Sequence, residues 1–384
     1  MLHWILPIIG VLLIAIVVLD VFLTVLYARI GTGIVSHRIA CWMWRVFRLL
    51  SRPFARWHLQ ELILSFAGPT MLVAMIGIWF FMLMLGGGLI IQPLLGKTFI
   101  ATNGPTPHDL ITAMYLAGDY LTTAGASDIA PDGVSRWLTT FLSLLGISTL
   151  TLTLTYILEI YNSLQRRNTF ALKLHLATAE TSDAAELVAG IGPQGQFAVG
   201  YTHLAEIAAE MASFKESHHF YSVLFYFRFK EPYYAVSRMT LIVLDSVSLI
   251  KSGLDDQQFA WLKESSAVAQ LWRGSMHTLT LLAMSFLPDG MPENAPPPEP
   301  QTIELWRRRY LAALDRFRQA GIQTIADESL GFENYLALRT RWDRFITTFA
   351  QHMAHDIRNI DPAGSDPQRI EERQPFATRL RSAG

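Results

Sequence analysis

The 384-residue chain has a single cysteine, Cys41. One thiol can form neither an internal disulfide framework nor a thiolate metal cluster. Charge is scarce as well. Only 16% of residues are charged, and 31 Lys and Arg against 32 Asp and Glu leave a net charge near −1. That balance argues neither for nor against nucleic acid by itself, and no nucleic-acid partner is expected. The polar part of the chain lacks a nucleophile–base constellation, a metal-ligand spacing and a phosphate loop, so the expectation is no enzyme, no enzyme substrate and no cofactor. The first apolar run also lacks the basic start and small-residue cleavage site of a signal peptide, and is expected to be retained.

What the chain does have is hydrocarbon. Hydrophobic residues make up 51% of it, mean hydropathy is +0.28, and the excess lies in the first 165 residues or so. Trp4 to Tyr27 is almost unbroken and long enough to span a bilayer, which takes roughly 20 apolar residues. Asp20 is its one charge. A carboxylate at a span centre costs about 2.5 to 3.5 kcal/mol on insertion scales, so Asp20 needs a partner. Structural hydrogen bonding and an ion or proton role both remain open for it. Without an arginine ladder, this helix is not a voltage sensor.

Arg29, Arg38, Arg45, Arg48, Arg52 and Arg56 follow with no acid among them, interleaved with Trp42, Trp44, Phe47, Leu49, Leu50 and Trp57. The pattern predicts an interfacial amphipathic helix on the cytoplasmic side, its arginines toward anionic membrane lipid. Simple topological bias, with no regulatory lipid site, also accounts for the arginines and is the preferred reading. Either way the positive-inside rule puts the N-terminus outside, a second span at about Leu62 to Leu95 leading outward, and the C-terminal part in the cytoplasm of a cell with this protein in its inner membrane.

Residues Asp109 to Leu121 are helix-compatible yet too short to cross, and Thr122-Thr-Ala-Gly-Ala-Ser-Asp128 comes next. Irregular backbone at membrane depth survives only where protein covers it or water reaches it. The spacing therefore predicts a re-entrant helix and a pore. Between Lys97 and Arg136, Asp109, Asp119, Asp128 and Asp132 outnumber the bases, as suits a vestibule that gathers cations. Trp137 to Leu164 is the third span. Ser148, Thr151, Thr155, Glu159 and Ser163 share one helical face, the expected water-facing wall.

The run from Thr123 through Gly125 and Asp128 to Pro131 resembles the filter of the potassium-channel superfamily, whose sequence is Thr-Val-Gly-Tyr-Gly. Here Ala124 replaces the valine, Ala126 the aromatic and Ser127 the second glycine. The resemblance covers roughly Leu62 to Leu164. It implies that Thr122, Thr123, Ala124, Gly125, Ala126, Ser127 and Asp128 form an ion filter, supported by Tyr115 and Asp119, with an Asp119 to Asp128 contact or, alternatively, an amide of the loop holding Asp119. Gly146, Ser148, Thr151, Thr155 and Glu159 would line the inner pore, Gly146 acting as a hinge or as a packing contact. One hairpin per chain implies a homotetramer passing K+ and/or Na+, with no metal beyond the permeant cations. Serine with positive φ is strained and Ala126 cannot brace a pore helix, so weak potassium selectivity is expected. A non-conducting receptor or scaffold is the alternative.

The fold class expected is thus an all-α membrane protein: residues 1–30 an N-terminal span, 31–60 the basic interfacial segment, 61–165 the pore domain, 166–358 a helical cytoplasmic domain and 359–384 a disordered tail. Helices are expected at Phe197 to Lys215, Tyr233 to Ser252, Gln257 to Leu287, Ile303 to Gly321 and Glu328 to Ile357, with Met239 to Ile250 as core and Pro288 to Pro300 as linker. Gly190-Ile-Gly-Pro-Gln-Gly195 matches a dinucleotide fingerprint formally, but no strand precedes it, so it is read as a turn. His175, His203, His218 and His219 are read as core or surface histidines, and Arg307 to Arg309 with Arg316 and Arg318 as a solvated or inter-subunit face.

Overall fold

A computed structural model of the chain describes residues 2–27, 33–54, 58–125, 128–286 and 297–362. Its elements group into two compact units, one formed by residues 1–162 with Phe220–Phe227, the other by residues 163–219 with 228–384.

In the first unit α1 (Leu2–Val21) runs into a π-helical turn, Phe22–Leu26. The amphipathic α2 (Ser36–Ser51) and the short α3 (His58–Ser65) lead to α4 (Ala67–Ile91). After β1 (Phe99–Ala101) come α5 (Leu110–Thr122), β2 (Ile129–Pro131) and α6 (Ser135–Ala177), the last of which continues into the second unit. Three stretches, Trp4–Leu26, Leu59–Leu94 and Ser135–Ala177, are long and apolar enough to cross a membrane. The unit departs from an all-helical one where β1 and β2 pair antiparallel, Ile100 opposite Ala130. That pairing closes the two ends of the excursion that carries α5.

The helices of this unit meet through glycine. A methyl group on Gly10 would stand 2.5 Å from the Gly86 carbonyl oxygen, and one on Gly86 2.9 Å from that of Gly10. α1 and α4 therefore touch backbone to backbone, the contact small residues permit between apolar helices. Asp20, fully buried, accepts from Trp79 Nε1 at 2.7 Å and from the amides of Val35 at 2.8 Å and Ser36 at 3.2 Å. It binds α1 to α4 and satisfies the first donors of α2, which no residue of α2 itself caps. Of the two roles open for Asp20, hydrogen bonding is the one this geometry fills. Phe220–Phe227 packs here too: the Tyr226 ring lies 5.6 Å from that of Trp44, and Phe227 covers Gly68.

The second unit is built around α9 (Val236–Gly253), in which every residue but Val236 and Lys251 is buried. A helix apolar all round must be surrounded. α7 (Ala184–Ile191), α11 (Ser266–Phe286), α12 (Pro300–Gln319), α13 (Glu328–Thr340) and α14 (Asp343–His352) pack on it, with α8 (Ala198–Phe220), α10 (Asp256–Lys263) and α15 (Ile357–Ile360) completing the unit. Ser246, Ser248 and Ser252 satisfy their hydroxyls inside the helix, on Ile242 O, Leu244 O and Ser248 O, each at 2.7 Å.

Two expected helices are broken. The Gln257 to Leu287 helix stops at Glu264, and Ser265 Oγ accepts the Val268 amide at 3.4 Å to start α11. The Glu328 to Ile357 helix splits at Trp342, whose backbone leaves the helical region so that its buried indole can donate to Ser248 Oγ at 3.2 Å. Pro300 is not linker but the first residue of α12, where its missing amide costs nothing; residues 287–296 lie outside the described residues. The tail departs from expectation as well. Asp361 is buried and ion-paired to Arg309 and Arg339, so the chain is held at least that far, and 363–384 lie outside the described residues.

Arg307, Arg308, Arg309, Arg316 and Arg318 do not form one solvated face. Arg309 is 3% exposed and bonds Asp245 Oδ2 at 2.7 Å. Arg316 reaches Glu186 at 2.9 Å, Arg318 reaches Asp315 and Glu328, Arg307 lies over the Phe332 ring, and Arg308 alone makes an exposed i,i+4 pair, with Glu304.

The histidines are dispersed: His175 stacks on Tyr233, His203 faces Glu206, and His218 is buried against Phe214. His218 Nδ1 donates to Phe214 O at 3.0 Å, and burial, with Arg167 nearby, pushes its pKa down to about 3. An unfolded histidine titrates near 6.5. Stability from this group is therefore complete above pH 6.5 and lost as pH falls toward 3. His355, also buried and pushed down to about 3, titrates in the same window, so thermal and denaturant melts at pH 7.5 and 5.0 should show an acid penalty that His218→Phe lowers by roughly 2 kcal/mol without abolishing it. An unchanged penalty in that variant would refute the assignment.

Candidate functional site

The site is the end of α5 and the turn after it. Asp109 caps α5, its carboxylate accepting the Thr112 amide at 2.9 Å and hydroxyl at 2.8 Å, and those bonds hold its pKa below the usual carboxylate range. From there α5 runs antiparallel along α4. Methyl groups placed on Gly88, Gly87 and Gly118 would meet Met114 at 2.8 Å, Ala117 at 2.9 Å and Met84 at 3.1 Å respectively. The Gly86-Gly-Gly88 triplet is thus the bed on which α5 lies. Three glycines inside an apolar span were the visible signal for it.

The far end of α5 abuts α6. A methyl on Gly146 would stand 1.9 Å from the Leu121 carbonyl oxygen, so the two backbones touch. From Ser135 to Gly146 the rise is about 16 Å, and from Met84 to Leu94 about 15 Å. The turn after Leu121 therefore lies well inside the ends of both long helices.

The turn itself is strained in an ordered way. Thr123 caps α5 with φ 55°, the left-handed region, its amide bonding back to Asp119 O and Tyr120 O, and Ala124 N also reaches Asp119 O at 3.1 Å. Gly125 has φ 84°. A non-glycine residue with positive φ stores of order 1 kcal/mol or more and persists only where its surroundings fix it. Thr122, Thr123, Ala124, Gly125 and Asp128 are exposed in the single chain. Thr122 Oγ1 donates to Gly118 O at 2.8 Å and Thr123 Oγ1 to Thr122 O at 2.7 Å. Ala126 and Ser127, on which the expectation of weak selectivity rests, lie outside the described residues.

Asp119 is 8% exposed. Asp128, for which a contact with Asp119 was expected, is exposed, and its carbonyl accepts the Thr102 amide at 2.8 Å, extending the β1–β2 pairing. Tyr115, expected to support the filter, is 51% exposed.

On α6 the expected face divides. Ser148, Thr151, Thr155 and Glu159 are exposed together, with Thr151 and Thr155 hydroxyls bonded to Ile147 O and Thr151 O at 2.9 and 3.0 Å. Ser163, farther along, is buried at 5%, and Gly146 is buried under α5 rather than on that face. Among the described residues no group of three or more His, Cys, Asp and Glu could hold a metal.

The chain is 22% identical over 323 residues, 83% of its own length and 89% of the other's, to the uncharacterized membrane protein YdjJ of Bacillus subtilis (strain 168). No family model matches, and no solved structure matches. With three helices able to cross a bilayer, the likeness identifies a mostly helical membrane protein.

Proposed function

We propose that four copies of this chain enclose a cation-permeable pore, with α5 re-entrant, the turn at Thr122 to Ser127 as its narrow part and Ser148, Thr151, Thr155 and Glu159 along its inner wall. One observation carries the reading: the Thr123 turn lies level with Gly146, about 16 Å from the start of α6. The hydrocarbon core is about 30 Å thick, so exposed irregular backbone would sit near its middle, where it needs water or another copy. Thr123 and Gly125, on either side of Ala124, both have positive φ, and such irregular backbone can offer carbonyls to a dehydrated cation. Asp109, Asp128 and Asp132, all exposed, would raise cation concentration outside. The N-terminus would lie outside and the second unit in the cytoplasm.

One feature favours a second reading. The Thr122 and Thr123 hydroxyls are bonded to their own backbone, as they would be in a scaffold that keeps the turn without conducting. Reconstitution separates the two. Purified tetramers in liposomes should pass Na+ and K+ at rates within a few-fold of each other. A large potassium preference would refute the role given to Ala126 and Ser127; silence in verified tetramers would leave the scaffold.

A further inference from the structure

Four arginines lie on or directly after α2. Among the described residues Arg38, Arg45, Arg48 and Arg52 enter no ion pair, whereas Arg309, Arg316, Arg318, Arg339 and Arg358 of the second unit all do. Arg38, Trp42, Arg45, Leu49 and Arg52 recur at spacings of four and three, which places them in one stripe. All five are exposed, Trp42 at 66% and Leu49 at 62%.

The opposite face is fixed. Ser36 is held by Asp20, and Trp44 is 3% exposed beside Tyr226. α2 is therefore a pinned element whose outward stripe alternates guanidinium with apolar ring and chain. Its position narrows the partner. The first span ends at Leu26 and the second begins at Leu59, ten residues before Ser36 and eight after Ser51, so both ends of α2 are tied close to a membrane surface. An indole at that depth suits the boundary between headgroup and acyl chain, and guanidinium pairs bidentately with phosphate.

We propose that this stripe is a docking surface for anionic phospholipid headgroups, phosphate lying between Arg38 and Arg45 with the Trp42 ring beside it. A solvated acidic protein or nucleic acid would match the charge, but would have no use for Trp42 and Leu49 at the level of the bilayer. The proposal is independent of conduction, since lipid binding and ion flux are read separately.

The test uses the full chain in phosphatidylcholine nanodiscs doped with brominated phosphatidylglycerol or, in parallel, brominated phosphatidylcholine at the same mole fraction. The chain has 10 tryptophans, so the Trp42 signal is the difference between the native chain and Trp42→Phe. Brominated phosphatidylglycerol should quench that signal well beyond the zwitterionic lipid. Arg38→Gln and Arg45→Gln should each weaken the preference about fivefold, with unchanged melting because both side chains are exposed, and molar salt should do the same. Equal quenching by the two lipids overturns the proposal. So does protection of Trp42 from both, which would mean that protein covers the stripe.

Discussion

Arg339→Leu should cost the second unit about 3–5 kcal/mol and take most of the protein out of its folded form at 37 °C. The side chain is 1% exposed. Its guanidinium bonds Asp245 Oδ1 at 3.1 Å, the Tyr335 hydroxyl at 2.8 Å, Asp361 Oδ2 at 2.8 Å and Asp343 Oδ1 at 3.1 Å. The rings of Trp306 and Trp342 lie 5.1 and 4.9 Å away. Arg309 closes the network from the other side through Asp245 and Asp361. Burial pushes the Asp343 carboxyl up, against the pull of Arg339. Remove Arg339, and Asp245, Asp361 and Asp343 are left with the one guanidinium of Arg309, which pairs with Asp245 and Asp361. Breaking a buried pair in this way costs about 3–5 kcal/mol, against a typical total stability of 5–15 kcal/mol.

Arg339→Lys separates charge from geometry. An ammonium keeps the sign but cannot fork to four acceptors, so it should recover part of the loss and not all. Thermal melts of the purified protein followed by tryptophan fluorescence would measure both. If Arg339→Leu melts within two degrees of the native chain, the network does not organise this unit.

That network was closed to sequence reading, and for a definite reason. Arg309 meets Asp245 across 64 residues, Arg339 meets Asp245 across 94, and Arg309 meets Asp361 across 52. Nothing local marks Arg309 as different from Arg308 beside it, and Asp361 sits in a polar stretch that reads as a disordered tail. Apolar composition, by contrast, is local. It is enough to give the three long helices and to mark Met239 to Ile250 as core, because a helix with apolar residues on every side has no solvated face to offer. The candidate site falls between these extremes. Its small polar run is visible at Thr122 to Ser127, but where Asp128 goes depends on β1 pairing with β2, and three-residue strands leave almost no pattern of their own.

Gly146 is the position at which the two sequence-derived roles, hinge and packing contact, part in experiment. A hinge glycine tolerates alanine in the closed helix and shows its effect in gating. A packing glycine does not, because the intruding methyl would lie 1.9 Å from the Leu121 carbonyl oxygen and 2.6 Å from its carbon. Those are backbone atoms at the end of α5, without a rotamer to give, so the end of α5 must move and carry the Thr123 turn with it. Gly146→Ala should therefore lower the melting temperature by several degrees and abolish cation flux together. Gly77→Ala supplies the control. It makes the same change within α4, where nothing lies within 4 Å of the added carbon, and should be neutral or stabilise by up to about 1 kcal/mol through helix propensity alone. Opposite signs for one chemical change at two membrane-helix glycines would tie the turn to the contact beneath it. Gly146→Ala that folds, assembles and melts like the native chain would remove the contact from the argument and leave bending as the use of that glycine.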